Sequence, residues 1–214
     1  MQAADTGFIH RYIPAHDNKQ RVLLLLHGTG GDEDDLLELG RALAPGAGLL
    51  SPRGKVLEHG APRFFRRLAQ GVFDIEDLTY RTHELVDFIN IAAQAYHFEL
   101  DKLTIVGYSN GANIAASLLL LHPKLLRSAI LFRAMKPFDP GTMPDLSGTS
   151  IYLAAGKLDP LIPAADTQQL IELLQSAGAH IDAHWQGTGH ALNVAEIEGA
   201  RTWLSKLPTS PTQV

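Results

Sequence analysis

Three side chains in this sequence could together activate a nucleophile: Ser109 within Gly107-Tyr108-Ser109-Asn110-Gly111, Asp159 within Gly156-Lys157-Leu158-Asp159-Pro160, and His190 closing Gly187-Thr188-Gly189-His190. A serine hydroxyl is a poor nucleophile at neutral pH until a base takes its proton. An imidazole serves as that base once a carboxylate fixes its tautomer and stabilises its cation. The chemistry these residue types offer is acyl transfer through a serine ester. Such chemistry also needs donors aimed at the oxyanion of the tetrahedral intermediate. The backbone N–H of Asn110, next to the serine at the start of a helix, is one candidate. The N–H of Thr29, in the glycine-rich stretch Leu26-His27-Gly28-Thr29-Gly30-Gly31, is the other.

Each of these residues must be delivered by an element. Ser109 follows the apolar run 103–106 and precedes the helical pattern that begins at Asn110, so it sits on a strand-to-helix turn. A serine at such an apex takes a strained backbone conformation, and a Cβ two residues to either side would strike the adjoining strand or helix. The G-x-S-x-G pattern alone is weak, and its serine could be no more than a helix N-cap. Asp159 alone reads as a turn former before Pro160, and His190 is one of ten histidines. Their order of serine, acid and histidine, each just beyond a predicted strand, is what joins them into a triad.

Apolar or β-branched runs recur at 8–13, 22–26, 48–51, 103–106, 128–132, 150–155 and 179–185, and helical patterns alternate with them at 33–44, 79–96, 110–121, 164–176 and 194–206. This alternation predicts an α/β fold: a doubly wound, mostly parallel sheet of about seven strands flanked by helices. In such sheets ligands bind beyond the carboxyl ends of the strands, where all three residues fall. We expect one domain over 1–206 and a frayed tail over 207–214. Two segments break the alternation. The long connection 53–77 carries Arg53, Arg63, Phe64, Phe65, Arg66 and Arg67; the segment 135–148 is rich in proline and glycine and reads as a surface loop. No insertion is large enough for a cap domain.

Composition narrows the function further. With 214 residues, 45% of them hydrophobic, the chain can bury one sizeable core. A formal net charge of -5 without a basic cluster argues against nucleic acid as a partner. No apolar run is long enough to span a bilayer, so no stable membrane insertion is expected. The first residues also lack the basic end and apolar stretch of a signal peptide, so the sequence reads as cytoplasmic. Zero cysteines removes thiolate chemistry. No H-E-x-x-H occurs and the histidines are scattered, so neither metal nor cofactor is expected. The glycine-rich stretch 28–31 has no P-loop lysine, and Asp32, Glu33, Asp34 and Asp35 would repel phosphate.

His27-Gly28-Thr29-Gly30-Gly31, Gly107-Tyr108-Ser109-Asn110-Gly111, Gly156-Lys157-Leu158-Asp159-Pro160-Leu161-Ile162-Pro163 and Gly189-His190 together resemble the carboxylesterase/phospholipase branch of the α/β-hydrolases, which also contains acyl-protein thioesterases. The resemblance implies catalytic Ser109, Asp159 and His190 with Thr29 and Asn110 as oxyanion donors. Asn110 departs from the glutamine that many thioesterase-like members carry there. The expected reaction is hydrolysis of small, short-chain carboxylic esters through an acyl-enzyme. The alternatives are a thioesterase, lysophospholipase or lactone hydrolase using the same triad, or a hydrolase-fold protein that binds a ligand without turnover. Phe64, Phe65, Met135 and Leu161 are candidates to line the pocket, or to pack the core. Arg53, Arg63 and Arg66 could orient an acidic substrate, or lie solvated on their loop. Oligomeric state is not legible.

Overall fold

The structure is a computed structural model and describes residues 6–17 and 21–208. In chain order its elements are β1 (His10–Ile13), β2 (Val22–Leu26), α1 (Leu37–Leu43), β3 (Gly48–Pro52), β4 (Val56–Glu58), β5 (Ala61–Arg63), β6 (Arg67–Ala69), β7 (Val72–Phe73), α2 (Ile75–Tyr96), β8 (Leu103–Tyr108), α3 (Asn110–Leu121), β9 (Ser128–Phe132), β10 (Ser150–Gly156), α4 (Ala164–Ser176), β11 (His180–Gln186) and α5 (Val194–Lys206). Seven strands form one sheet in the order β1-β3-β2-β8-β9-β10-β11. Only β1 runs antiparallel to its neighbour.

The sheet follows from the strand composition. In β2 the side chains alternate between faces, as a two-residue period requires. Leu24 and Leu26 enter the larger core with residues of α2, α3 and α4, while Leu23 and Leu25 enter the smaller core with Leu43 of α1 and Trp203 of α5. A strand covered on both faces has no polar side to show, so its run is apolar at every position. The chain builds β2 and β3 outward in one direction, then returns to place β8 on the other side of β2. That reversal opens a crevice beyond the carboxyl ends of β2 and β8. The Gly28–Gly31 stretch and Ser109 both stand there.

Two helices begin elsewhere than their periodicity predicts. The first helical pattern, expected from residue 33, starts at Leu37. Asp32 Oδ1 accepts the N–H of Asp34 at 2.9 Å, and the backbone closes successive three-residue turns at Asp35 and Leu37. A short carboxylate side chain competes here with the helical hydrogen bond. The second pattern, expected from residue 79, starts four residues earlier at Ile75, because the Asp74 carboxylate accepts the N–H of Asp77 at 3.1 Å and caps the helix. The connection 53–77 is also more ordered than a plain loop, since it holds two antiparallel hairpins, β4–β5 and β6–β7. Part of the predicted tail, 209–214, lies outside the described residues. No helix among the described residues is long and apolar enough to cross a membrane.

Candidate active site

The turn after β8 holds Ser109 at φ 53° and ψ −115°, a conformation that costs a non-glycine residue about 1–3 kcal/mol. Close packing enforces it. A Cβ on Gly107 would stand 2.6 Å from Cα of Ala112, and one on Gly111 would stand 2.0 Å from the carbonyl oxygen of Leu26. Both glycines therefore let strand and helix meet with backbone against backbone. The Ser109 N–H donates to the carbonyl of Phe132 at 2.9 Å, tying the apex to β9. Although Ser109 occupies the N-cap position of α3, its side chain makes no capping bond.

Instead, Ser109 Oγ lies 2.9 Å from His190 Nε2, and His190 Nδ1 lies 2.8 Å from Asp159 Oδ2. A carboxylate can only accept, so the proton on the ring belongs on Nδ1 and the serine hydroxyl donates to Nε2. The three sequence-predicted residues are thus brought into one line, though 81 and 31 positions separate the bonded pairs. Asp159 also makes the turn that Pro160 foretold, with its two oxygens dividing the work. Oδ1 accepts the N–H groups of Leu161 and Ile162 at 2.8 and 3.2 Å, while Oδ2 faces the imidazole. Its side chain is 1% exposed.

Thr29 and Asn110 both line the cavity beside Ser109. The N–H groups of Gly30 and Gly31 are taken by the carbonyls of Pro62 and Gly28 at 2.9 and 3.1 Å, whereas no intrachain hydrogen bond takes up the N–H of Thr29 or Asn110 among the described residues. Both are available to an incoming oxygen. The loop that carries Thr29 is held by His27, which is fully buried. Gly54 N–H donates to His27 Nε2 at 2.9 Å, so Nδ1 carries the proton and donates to the Gly28 carbonyl at 2.6 Å. Burial holds the His27 pKa below its ordinary value, which keeps the ring in the neutral form this pair of bonds demands.

The cavity has a volume of about 380 Å³. Met135 and Leu161 line it, as expected for a pocket, but Phe64 and Phe65 do not: they are 2% and 0% exposed within the main core. Phe64 touches the site through its backbone, donating its N–H to Asn110 Oδ1 at 2.8 Å. Asn113 makes the matching bond one turn on, accepting the Met135 N–H at 2.9 Å. The first turn of α3 thereby staples both loops that wall the cavity.

The arginines of the 53–77 connection separate by environment. Arg53 pairs with the buried Glu33 and the exposed Arg66 with Asp74, both away from the cavity, but Arg63 is only 3% exposed and lines the cavity together with Arg67. Arg63 Nη1 donates to Thr29 Oγ1 at 2.7 Å, and both guanidiniums bond the single carboxylate of Glu58. The Arg67 bond, more than any other contact, holds the Glu58 pKa below its usual range. Two cations sharing one anion leave net positive charge in the cavity wall.

Three residues that sequence reasoning missed also belong to this neighbourhood. Tyr108 lines the cavity and donates its hydroxyl to the His190 carbonyl at 3.1 Å; burial raises its pKa and keeps it a neutral donor. Arg133 and Glu196 form a fully buried ion pair at 2.6 Å beneath the histidine loop. Only Glu196 left a signal, as the fourth residue of Asn193-Val194-Ala195-Glu196, which forms a capping box.

Comparison with known proteins agrees with this architecture. The sequence model of the Dienelactone hydrolase family matches residues 61–202. The chain is 48% identical over 196 residues to the Bacillus subtilis (strain 168) protein MhqD, named as a hydrolase, across 92% of this chain and 98% of that protein. The crystal structure of a Bacillus cereus carboxylesterase is similar, with a TM-score of 0.92 and 45% identity over 95% of this chain and 96% of that one. The structure of YahD with malic acid is similar with a TM-score of 0.87 and 30% identity, over 92% of this chain and 99% of that one.

Proposed function

The chain belongs to the dienelactone hydrolase family of α/β-hydrolases, and from that premise we propose that it is a serine carboxylesterase acting on small carboxylic esters. The observation that carries this reading is the continuous hydrogen-bonded line that starts at Ser109 Oγ, on a strained turn, and runs through His190 to Asp159. Ser109 attacks the ester carbonyl as His190 takes its proton. The N–H groups of Thr29 and Asn110 receive the developing oxyanion, and the alcohol leaves with the proton. Water, activated by the same imidazole, then frees the acid and restores the hydroxyl. The modest cavity, walled in part by the β6–β7 turn and the loop at Leu161, favours short acyl groups.

Labelling with a fluorophosphonate, read by intact mass and peptide mapping, tests the nucleophile. One adduct per chain at Ser109, absent from Ser109→Ala, is the expected result. A folded protein that takes no label would sink the reading and favour a ligand-binding role. Matched ester, thioester and lactone substrates then separate the leaving groups that one triad can serve.

A second reading concerns charge. The cavity lining carries two guanidiniums, Arg63 and Arg67. This favours substrates bearing a carboxylate, and YahD, a relative at 30% identity, has been crystallised with malic acid. Arg67→Gln is the cleaner probe, because Arg63 also braces the Thr29 loop. KM should rise for an acidic half-ester and stay unchanged for its neutral diester. Equal change for both would rule out charge recognition.

A further inference from the structure

Arg133 heads the fully buried side chains by volume, and the chemistry of ester hydrolysis makes no direct use of it. It follows the last residue of β9 and has φ 58°, a left-handed conformation rare for arginine. Its guanidinium spends its donors in one direction. Nε donates to the carbonyls of Gly189 and His190 at 3.0 and 3.1 Å, and Nη2 donates to the carbonyl of Ala191 at 2.8 Å and to Thr188 Oγ1 at 3.3 Å. Four consecutive residues of the histidine loop therefore hang on one side chain. Nη1 and Nη2 grip Glu196 at 2.6 and 2.9 Å, and Nη1 also reaches the carbonyl of Ala154 at 3.2 Å.

The placement ties the histidine loop to the other two members of the triad. The carbonyl of Phe132, just before Arg133, holds the Ser109 N–H at 2.9 Å. Nε also lies 3.9 Å from Asp159 Oδ2. Glu196, the counter-charge, accepts the N–H of Asn193 at 2.9 Å and so anchors the start of α5. A buried ion pair adds little net stability over an apolar replacement of similar volume, so stability alone does not account for so specific a set of bonds. We propose that Arg133 is a positioning residue, which sets the height and orientation of the His190 imidazole between Ser109 and Asp159, with Glu196 holding it in register. This rests on the reading of His190 as the base.

The experiment compares wild type with Arg133→Met/Glu196→Gln, which removes both charges together and keeps an oxygen to cap α5. Thermal unfolding, kcat and KM on p-nitrophenyl acetate, and the downfield NMR resonance of the His190 Nδ1 proton are measured on each. The expected result is a protein folded at the assay temperature, with a midpoint lowered by the loop carbonyls left without donors, a kcat about a hundredfold lower, a KM within about twofold, and a lost or broadened Nδ1 resonance. A folded double variant with the kcat and resonance of wild type would overturn the proposal, since the pair would then serve structure alone. Arg133→Lys, which keeps the charge beside Glu196 and loses the planar fork, carries the same readouts if the double variant does not fold. If wild type itself has no esterase activity, the functional reading fails, and the resonance still decides whether Arg133 holds the ring.

Discussion

At the end of β8 the chain holds Ser109 by pressing backbone against backbone, whereas beyond β11 it holds His190 by hanging a loop from one buried side chain. Around the serine the decisive contacts are those a Cβ would destroy, at Gly107 and Gly111. Around the histidine they are the bonds of Arg133 and its partner Glu196. The first kind of hold is a matter of size and is indifferent to charge. The second is a matter of charge and of the direction in which hydrogen bonds are donated. Two residues that must sit 2.9 Å apart are thus kept there by unrelated physics, and different substitutions should break each.

The largest effect is expected at the elbow. Gly111→Ala would drive a methyl group into the Leu26 carbonyl, and neither backbone segment can yield without opening β2 from α3. We expect a loss of about 3 kcal/mol or more, read as a fall in urea midpoint and soluble yield, and the same loss at low and high salt. A variant as stable as wild type would show that the turn relaxes and that size is not what holds Ser109.

Glu196→Gln comes next. It leaves the Arg133 guanidinium buried without its full counter-charge, which should cost about 3 kcal/mol in urea denaturation, while adding Arg133→Met should cost less than the sum of the two single losses. Additive losses in this double-mutant cycle would mean that the two residues are not coupled.

A smaller, pH-dependent effect is expected at His27, which fixes the Thr29 loop by a titratable group and so stands between the two kinds of hold. Its folded pKa lies below its unfolded value near 6.5, so below that pH the unfolded chain binds the extra proton first. Its contribution is constant above pH 6.5 and falls as pH drops, by up to about 1.4 kcal/mol per pH unit, until the folded pKa is reached. Stability measured at pH 7.5 and 5.5 should diverge less in His27→Gln than in wild type. An equal fall in both would place the sensitivity elsewhere.

The smallest effect sharpens the comparison by geometry. Arg11 grips Asp34 with two bonds of 2.7 and 2.8 Å, much as Arg133 grips Glu196, but both partners are about half exposed. Asp34→Ala should leave the urea midpoint unchanged within error, because water and salt screen the exposed pair. A clear loss there would mean that burial is not what gives the Arg133 pair its hold.

The difference between the two holds also explains what could be read from the sequence. The elbow is local, so five adjacent residues between an apolar run and a helical pattern announce it. The same is true of β2, β9, α3, α4 and α5, whose bounds match the periodicity. Arg133 contacts residues 55 to 63 positions away, and nothing in its neighbours Phe132, Ala134 and Met135 points to them. The aromatic pair, for which pocket and core were both open, is decided by contacts of the same distant kind. Phe64 and Phe65 stand in a connection full of arginines, where exposure to a pocket was one natural expectation, but the hairpins on either side fold them into the core. Helix starts shifted wherever an aspartate could bond its own backbone, a choice that periodicity does not register.

The left-handed conformation of Ser109 has a consequence for how such a protein changes under selection. Glycine would occupy φ 53° without penalty, so Ser109→Gly removes the hydroxyl and relieves the turn in one substitution. If Ser109 is the nucleophile proposed above, loss of activity and greater robustness to heat then lie in the same direction. A lineage selected only for survival of its fold would be pulled toward silence at this position, and a library sorted by melting temperature alone would enrich its inactive members first.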